Sequence, residues 1–167
     1  MKKLFKILLS VVLIGLMCLG LYGYKITHFS YNPDASAQHI TETSHTKSKG
    51  LCAYYVRQAI EAGGCPTFSF PSSACDYCEF LLALDFEEFD KDDGLIPGDI
   101  VVFRAVDKHP HGHIAMWNGR QWISDFKQKS IIVNRVYRKS DATYYRMTQG
   151  KHSRKLFYSS LNAKSIL

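Results

Sequence analysis

The sequence lacks the marks of several protein classes. A formal charge of +6 suits an anionic partner, which could be cell wall polymer, membrane or nucleic acid. Nucleic acid ranks last of the three, because the sequence has no arginine-rich run and no nucleic-acid motif. The Cys75–Cys78 spacing has no second C-x-x-C pair beside it, which argues against a zinc knuckle or a redox site. The acidic run over 85–94 lacks the alternation of a calcium loop, so a solvated loop is expected. We expect no metal and no other cofactor.

The N-terminal segment, residues 1–24, predicts export. It joins three lysines to an apolar run near membrane-spanning length, which is typical of either a signal peptide or an uncleaved signal anchor. The lysines hold the N-terminus in the cytoplasm, so everything after Lys25 is expected in the periplasm or outside the cell. An uncleaved segment would anchor the protein to the inner membrane through residues 4–24. Residues 25–47 are polar and aperiodic, and predict a linker.

The stretch from Ser48 to Gly64 predicts a helix. Ser48 is the expected N-cap, and the paired glycines at 63 and 64 supply the left-handed residue that ends many helices. An apolar stripe is expected to face inward, and two charged residues, Arg57 and Glu61, fall elsewhere on the surface. The stripe consists of Ala53, Val56 and Ile60.

Cys52 lies in the first turn of this helix. Unpaired backbone N–H groups and the helix dipole favour negative charge there, so we expect a lowered thiol pKa and a thiolate nucleophile. Taken alone, Cys52 is explained equally well as a nucleophile or as a residue without chemistry, which would be either a packing residue or half of a disulfide. Export tolerates disulfides, and a structural disulfide involving Cys65 is expected.

The remaining elements predict an α+β fold in which N-terminal helices pack on an antiparallel sheet. A second helix is expected from a capping box at Ser73 to Leu84, and Asn118–Gly119 is a strong hairpin signal. The resulting domain spans 48–149, and 150–167 is interpreted as a basic tail. The expected strands are 100–103, 113–117, 120–125, 131–136 and 142–147.

A thiolate nucleophile needs a base, and three histidines lie at 109, 111 and 113. Pro110 and Gly112 interrupt the strand between them, so the three would not share a face and a metal site is disfavoured. His113 begins a strand, where a side chain is held rigidly at the end of a sheet. A helix-start cysteine with a strand-start histidine, in an exported chain, favours nucleophilic catalysis.

These residues resemble a known family. The motifs around Cys52 (Gly-x-Cys-Ala-x-x-Val), over 97–103 (Pro-Gly-Asp-Ile-Val-Val-Phe) and around His113 (Gly-His-Ile-Ala) occur in the order seen in the CHAP amidohydrolase/peptidase group. This group lies in the NlpC-like branch of papain-fold cysteine hydrolases. The resemblance covers roughly residues 48–126. It implies a peptidoglycan amidase or endopeptidase with Cys52 as nucleophile and His113 as base, acting on the wall or its stem peptides.

The third catalytic residue is assigned to Asp125. The resemblance places an acid on the strand after the histidine, and Asp125 matches it. A two-residue turn at 118–119 would pair His113 with Ser124 and turn Asp125 to the opposite face. We therefore expect an irregular hairpin, in which a longer turn or a bulge returns Asp125 to the face of His113. A regular hairpin would favour Ser124.

Two alternatives to the hydrolase stay open. A non-catalytic module that binds the cell wall or another envelope component would keep the same fold without the chemistry. An acyltransferase would use the same cysteine chemistry but pass the acyl group to an amine, and the sequence does not separate it from a hydrolase. The bond that is cut depends on pocket loops that the sequence does not reveal.

Overall fold

The fold is taken from a computed structural model that describes residues 22–138 and 141–159. Residues 29–152 form one compact unit, and the described residues 22–28 and 153–159 belong to a second. Residues 1–21 of the expected export segment (1–24) and residues 160–167 of the expected tail lie outside the described residues. None of the helices in the described ranges has both the length and the apolar character needed to cross a bilayer.

The elements confirm an α+β plan in which helices pack on an antiparallel sheet. Three α-helices are described: α1 (Pro33–Thr43), α2 (Cys52–Ala62) and α3 (Tyr77–Ala83). Seven strands are described: β1 (Tyr22–Tyr31), β2 (Glu87–Phe89), β3 (Ile100–Phe103), β4 (His113–Trp117), β5 (Trp122–Ile123), β6 (Ala142–Arg146) and β7 (Gly150–Ser159).

The main sheet has five antiparallel strands in the order β2-β6-β3-β4-β5, and β1 pairs with β7 in a two-stranded sheet. β3 lies in the centre because its four residues are apolar on both faces, and all four are buried. Its register with β4 places Phe103 opposite His113. The central strand therefore fixes the position of the histidine.

Side chains on both faces of the sheet pack into hydrophobic clusters. Alternate residues of β3 and β4 pack with the helices, while the intervening ones form a second cluster on the other face. The inward stripe of α2 is confirmed, since Val56 and Ile60 are fully buried and Ala53 nearly so. The helix ends as expected, at Gly63 followed by Gly64 with a φ of 96°.

Arg57 departs from the surface position expected for it. The residue is 8% exposed, and its guanidinium lies 3.7 Å from the ring centre of Phe70 and 2.8 Å from the Glu61 carboxylate. The flat guanidinium can stack on an aromatic ring while the N–H groups at its edge still bond a carboxylate. Arg57 is therefore accommodated at a buried position, although helical periodicity alone assigns it to the solvent-exposed surface.

Three other expectations differ from the structure. Part of the expected linker forms α1, which packs on α2 through buried side chains that include Ala37 and Ile40. A single helical turn of alanine and isoleucine among polar residues was too weak a pattern to indicate it. No strand forms over 131–136, where the chain makes bends and turns. The expected tail is a strand, β7, as far as Ser159.

Candidate active site

Cys52 is the first residue of α2, as the sequence predicts. The helix does not use Ser48 as its N-cap: that position is Leu51, which makes no side-chain capping bond. The chain instead crosses a short loop in which Gly50 has a φ of 75°. The loop presents N–H groups to the carboxylate of Asp125, and Cys52 follows the loop directly.

Three backbone N–H groups act on the Cys52 thiol. Two belong to the helix start, those of Cys52 and Ala53, and the third belongs to Ile114, the residue after His113. Burial raises the pKa of the Cys52 thiol, the three N–H groups lower it, and Asp125 raises it further, with a net rise. The expectation of a lowered pKa is therefore wrong for this geometry. The helix start acts as expected, but burial outweighs it.

His113 begins β4 and is 8% exposed. Burial lowers the pKa of His113 to about 4, against the opposing effect of the nearby Asp125 carboxylate. With a raised thiol pKa and a lowered imidazole pKa, both groups are neutral near pH 7. Cys52 therefore rests as a thiol and His113 as a neutral imidazole.

Gln128 holds the histidine ring. Its Nε2 lies 2.7 Å from Nε2 of His113 and donates to Oγ of Ser124 at 3.0 Å. The glutamine is 3% exposed, and its Oε1 is buried without a hydrogen-bond partner. An amide hydrogen-bonded to the second ring nitrogen is how a catalytic imidazole is kept in one orientation. The sequence predicts only Asp125 or Ser124 for this position and does not indicate Gln128.

Asp125 is buried and lies close enough to the pair to affect both pKa values. Its Oδ2 accepts hydrogen bonds from the loop before α2: from Oγ of Ser48 at 3.1 Å, from N–H of Lys49 and from N–H of Leu51 at 3.2 Å. Its Oδ1 accepts from Oγ of Ser124 at 3.0 Å. The carboxylate thus stabilises the start of α2 from a distant part of the sequence, as an N-cap would.

The pKa of Asp125 reflects these bonds. Burial raises the pKa of the carboxyl, but the N–H groups of Lys49 and Leu51 and the hydroxyls of Ser124 and Ser48 lower it more. The net pKa is lowered, so the group is a carboxylate at neutral pH. The negative charge of Asp125 thus lies beside the helix start that carries Cys52.

The hairpin that carries these residues is irregular, as expected, but in a different way. Trp117 pairs with Trp122, so the turn has four residues rather than two or three, and β5 ends at Ile123. The chain then folds into a tight loop in which N–H of Gln128 donates to the carbonyl of Trp122 at 3.0 Å. This reversal brings Gln128 back to His113. The alternation of side chains along a strand does not predict such a contact.

The other cysteines do not compete for Cys52. Cys52, Cys75 and Cys78 carry free thiols, and Cys65 is buried in the core, so the expected disulfide of Cys65 with one of these three is not formed. Within the described ranges, no group of three or more histidine, cysteine or acidic side chains could hold a metal ion.

The geometry defines a class. A cysteine at a helix start and a buried histidine at the start of an inner strand stand on an α+β framework, and this framework is the papain-like, NlpC-like fold. Comparison with protein-family models finds no match, and comparison with curated proteins finds none.

Two solved structures are similar. Both are crystal structures of the type VI effector–immunity complex Tae3–Tai3 from Ralstonia pickettii. The native one is 36% identical with a TM-score of 0.64, covering 71% of this chain and 100% of the other. The selenomethionine one is 37% identical with a TM-score of 0.60, covering 67% and 97%. The chain belongs to the Tae3 family of type VI effectors.

Proposed function

We propose that this protein is an exported cysteine amidase that cleaves amide bonds of bacterial peptidoglycan. The observation that carries the proposal is the arrangement of Cys52 and His113. The cysteine begins a helix, the backbone N–H group of Ile114, next to His113, acts to lower the pKa of its thiol, and Gln128 holds the imidazole. Membership of an effector family supports an activity directed at another cell. The substrate class is inferred from the resemblance to NlpC-like hydrolases that cleave the cell wall. Assignment of this chain to the CHAP group within that branch is also part of the proposal.

In the proposed reaction, the Cys52 sulfur attacks the amide carbonyl carbon while His113 takes the thiol proton. Since Nε2 of the ring faces Gln128, this proton goes to Nδ1. The N–H groups of Cys52 and Ala53 stabilise the tetrahedral oxyanion. The C–N bond then breaks, His113 returns the proton to the leaving amine, and a thioester remains. Water attacks the thioester with His113 again as base, and the carboxylic acid leaves as the thiol reforms.

Gln128 and Asp125 have separate parts in this scheme. If Nδ1 is to accept a proton, Nε2 must carry one and needs an acceptor. A half-turn of the Gln128 amide supplies that acceptor, because it brings the unpartnered Oε1 to the ring. Asp125 positions the helix start and keeps a negative charge near the imidazolium that forms. We therefore assign Gln128, rather than Asp125 alone, to the third position.

The localisation and partners belong to the same proposal. Peptidoglycan lies outside the inner membrane, so the catalytic domain would act in the periplasm or outside the cell. Since the similar effector is crystallised with an immunity protein, we infer that an immunity protein also binds this chain. Membrane anchoring through residues 4–24 rests on the sequence alone and stays a prediction.

The test is digestion of purified peptidoglycan, followed by mass spectrometry of the released fragments. We expect the wild type to release fragments with new amine and carboxylate ends, and Cys52→Ala to release none. Cys75→Ala is the matched control, because it removes another partly exposed free thiol and should leave cleavage intact. Equal cleavage by wild type and Cys52→Ala would refute the mechanism.

A further inference from the structure

A cavity of about 280 Å³ adjoins the loop that holds the histidine. It lies between two segments, and both lead directly to the catalytic residues. One wall includes Thr46, in the stretch that continues through the Asp125-bound loop to Cys52. The other wall includes Lys127 and Lys129, which flank Gln128 in the chain. The cavity is therefore built from the chain segments that carry Asp125 and Gln128 and that lead to Cys52.

The two segments are held together by backbone hydrogen bonds. N–H of His45 donates to the carbonyl of Asp125 at 2.8 Å, and N–H of Lys127 donates to the carbonyl of His45 at 3.1 Å. His45 and Phe126 thereby form a parallel bridge. The position of the cavity is therefore fixed by the same loop that places Asp125 and Gln128.

The charge of this cavity distinguishes it from others in the described part of the chain. Its lining contains two exposed lysines and no carboxylate. Three other cavities carry acidic groups instead: one is lined by Asp34 and Glu42, one by Asp85, Glu87 and Glu88, and one by Glu88 and Asp90. A positive potential in a partly enclosed site attracts anions and raises their local concentration.

The rest of the lining fits a peptide. Ser130 and Thr46 supply hydroxyl groups, while Phe126, Ile132 and Val133 supply apolar surface. The stem peptides of peptidoglycan combine free carboxylates with the methyl groups of alanine. Lysines next to short apolar surfaces are complementary to that combination.

We propose that this cavity is a binding subsite for the carboxylate-bearing part of a peptidoglycan stem peptide, with Lys127 and Lys129 as its specificity-determining residues. This inference rests on the proposed function and names the part of the substrate that its site recognises. The subsite orients the stem peptide so that the amide to be cut reaches Cys52.

The test measures binding of a stem tetrapeptide to the Cys52→Ala protein by calorimetry. The comparison ligand is the same tetrapeptide with every free carboxylate converted to a carboxamide. An exposed ion pair changes affinity only modestly, so we expect Lys127→Gln with Lys129→Gln to weaken binding of the acidic peptide about threefold to tenfold. Binding of the carboxamide peptide should be the same with and without these lysines.

Lys91→Gln is the matched control. It removes one lysine charge beside β2, at the opposite edge of the sheet from β5, and should leave both affinities unchanged. The inference is overturned if the double variant binds the acidic peptide as tightly as its parent, if Lys91→Gln weakens binding equally, or if neither peptide binds.

Failure of the inference and failure of the proposed function give different results. If the wild type cuts peptidoglycan while the lysines have no effect on binding, the subsite assignment alone is wrong. If binding depends on the lysines but the wild type cuts no amide bond, the subsite stands and the proposed amidase activity is wrong.

Discussion

Substitution of Gln128 tests how the catalytic histidine is held. In Gln128→Leu the side chain keeps a similar volume but loses both of its hydrogen bonds, to the ring of His113 and to Ser124. Leaving one buried polar partner unsatisfied costs roughly 1–3 kcal/mol. If that free energy is lost from the oriented imidazole, kcat/KM falls about tenfold to hundredfold. KM should change little, because Gln128 is 3% exposed and contacts the histidine ring from within the protein.

Gln128→Glu separates a positioning role from a packing role. A carboxylate at the position now 2.7 Å from Nε2 of His113 would hold the ring as the amide does, and would favour the imidazolium. In the wild type, burial lowers the pKa of His113 to about 4, so the base is neutral above that pH. In Gln128→Glu the acid limb of kcat/KM should move upward by about 1–3 pH units.

The assay is the pH profile of kcat/KM on a soluble peptidoglycan fragment, with products measured by mass spectrometry. Gln121→Leu is the matched control, since it makes the same change on the same hairpin, in the turn before β5. We expect it to behave as wild type. Full activity in Gln128→Leu, together with an unchanged acid limb in Gln128→Glu, would refute the role of Gln128.

Three further predictions concern stability, and urea unfolding measures each. Because burial lowers the pKa of His113 to about 4, the histidine binds a proton between pH 6.5 and 4 in the unfolded chain but not in the folded one. The free energy of unfolding should therefore fall by about 3 kcal/mol as the pH drops from 7 to 4. An unchanged pH dependence in His113→Asn would contradict this. Asp125→Ala should cost about 2–3 kcal/mol and speed amide exchange at Lys49, whereas normal protection there would rule out its capping role. Arg146→Ala leaves the buried Asp99 carboxylate unpaired, so we expect a loss of about 3–5 kcal/mol; a loss below about 1 kcal/mol would disprove this.

Much of the framework could be predicted because it depends on local patterns. The apolar run of β3 and the helical spacing of Val56 and Ile60 report burial directly, and both expectations are confirmed. The placement of Cys52 at a helix start followed from glycines and periodicity. These features need no knowledge of which distant segments meet.

The details of the candidate site depend on contacts between distant parts of the sequence. Ser48 has the local form of an N-cap, but its hydroxyl donates to Asp125, 77 residues away, and that carboxylate takes over the capping. Gln128 reaches His113 only because the chain reverses after β5. The Cys52 thiol shows the same limit, since its pKa is raised by a burial that the packed domain alone creates.

Hydrolysis of peptidoglycan in water enriched in oxygen-18 tests the central claim most directly. A thioester on Cys52 that is resolved by water places one heavy oxygen in each new carboxylate. We predict fragments that carry this single label with the wild type, and no labelled fragments with Cys52→Ala. Labelled fragments from Cys52→Ala would contradict the nucleophile, and wild-type products joined to an added amine without label would indicate acyl transfer instead of hydrolysis.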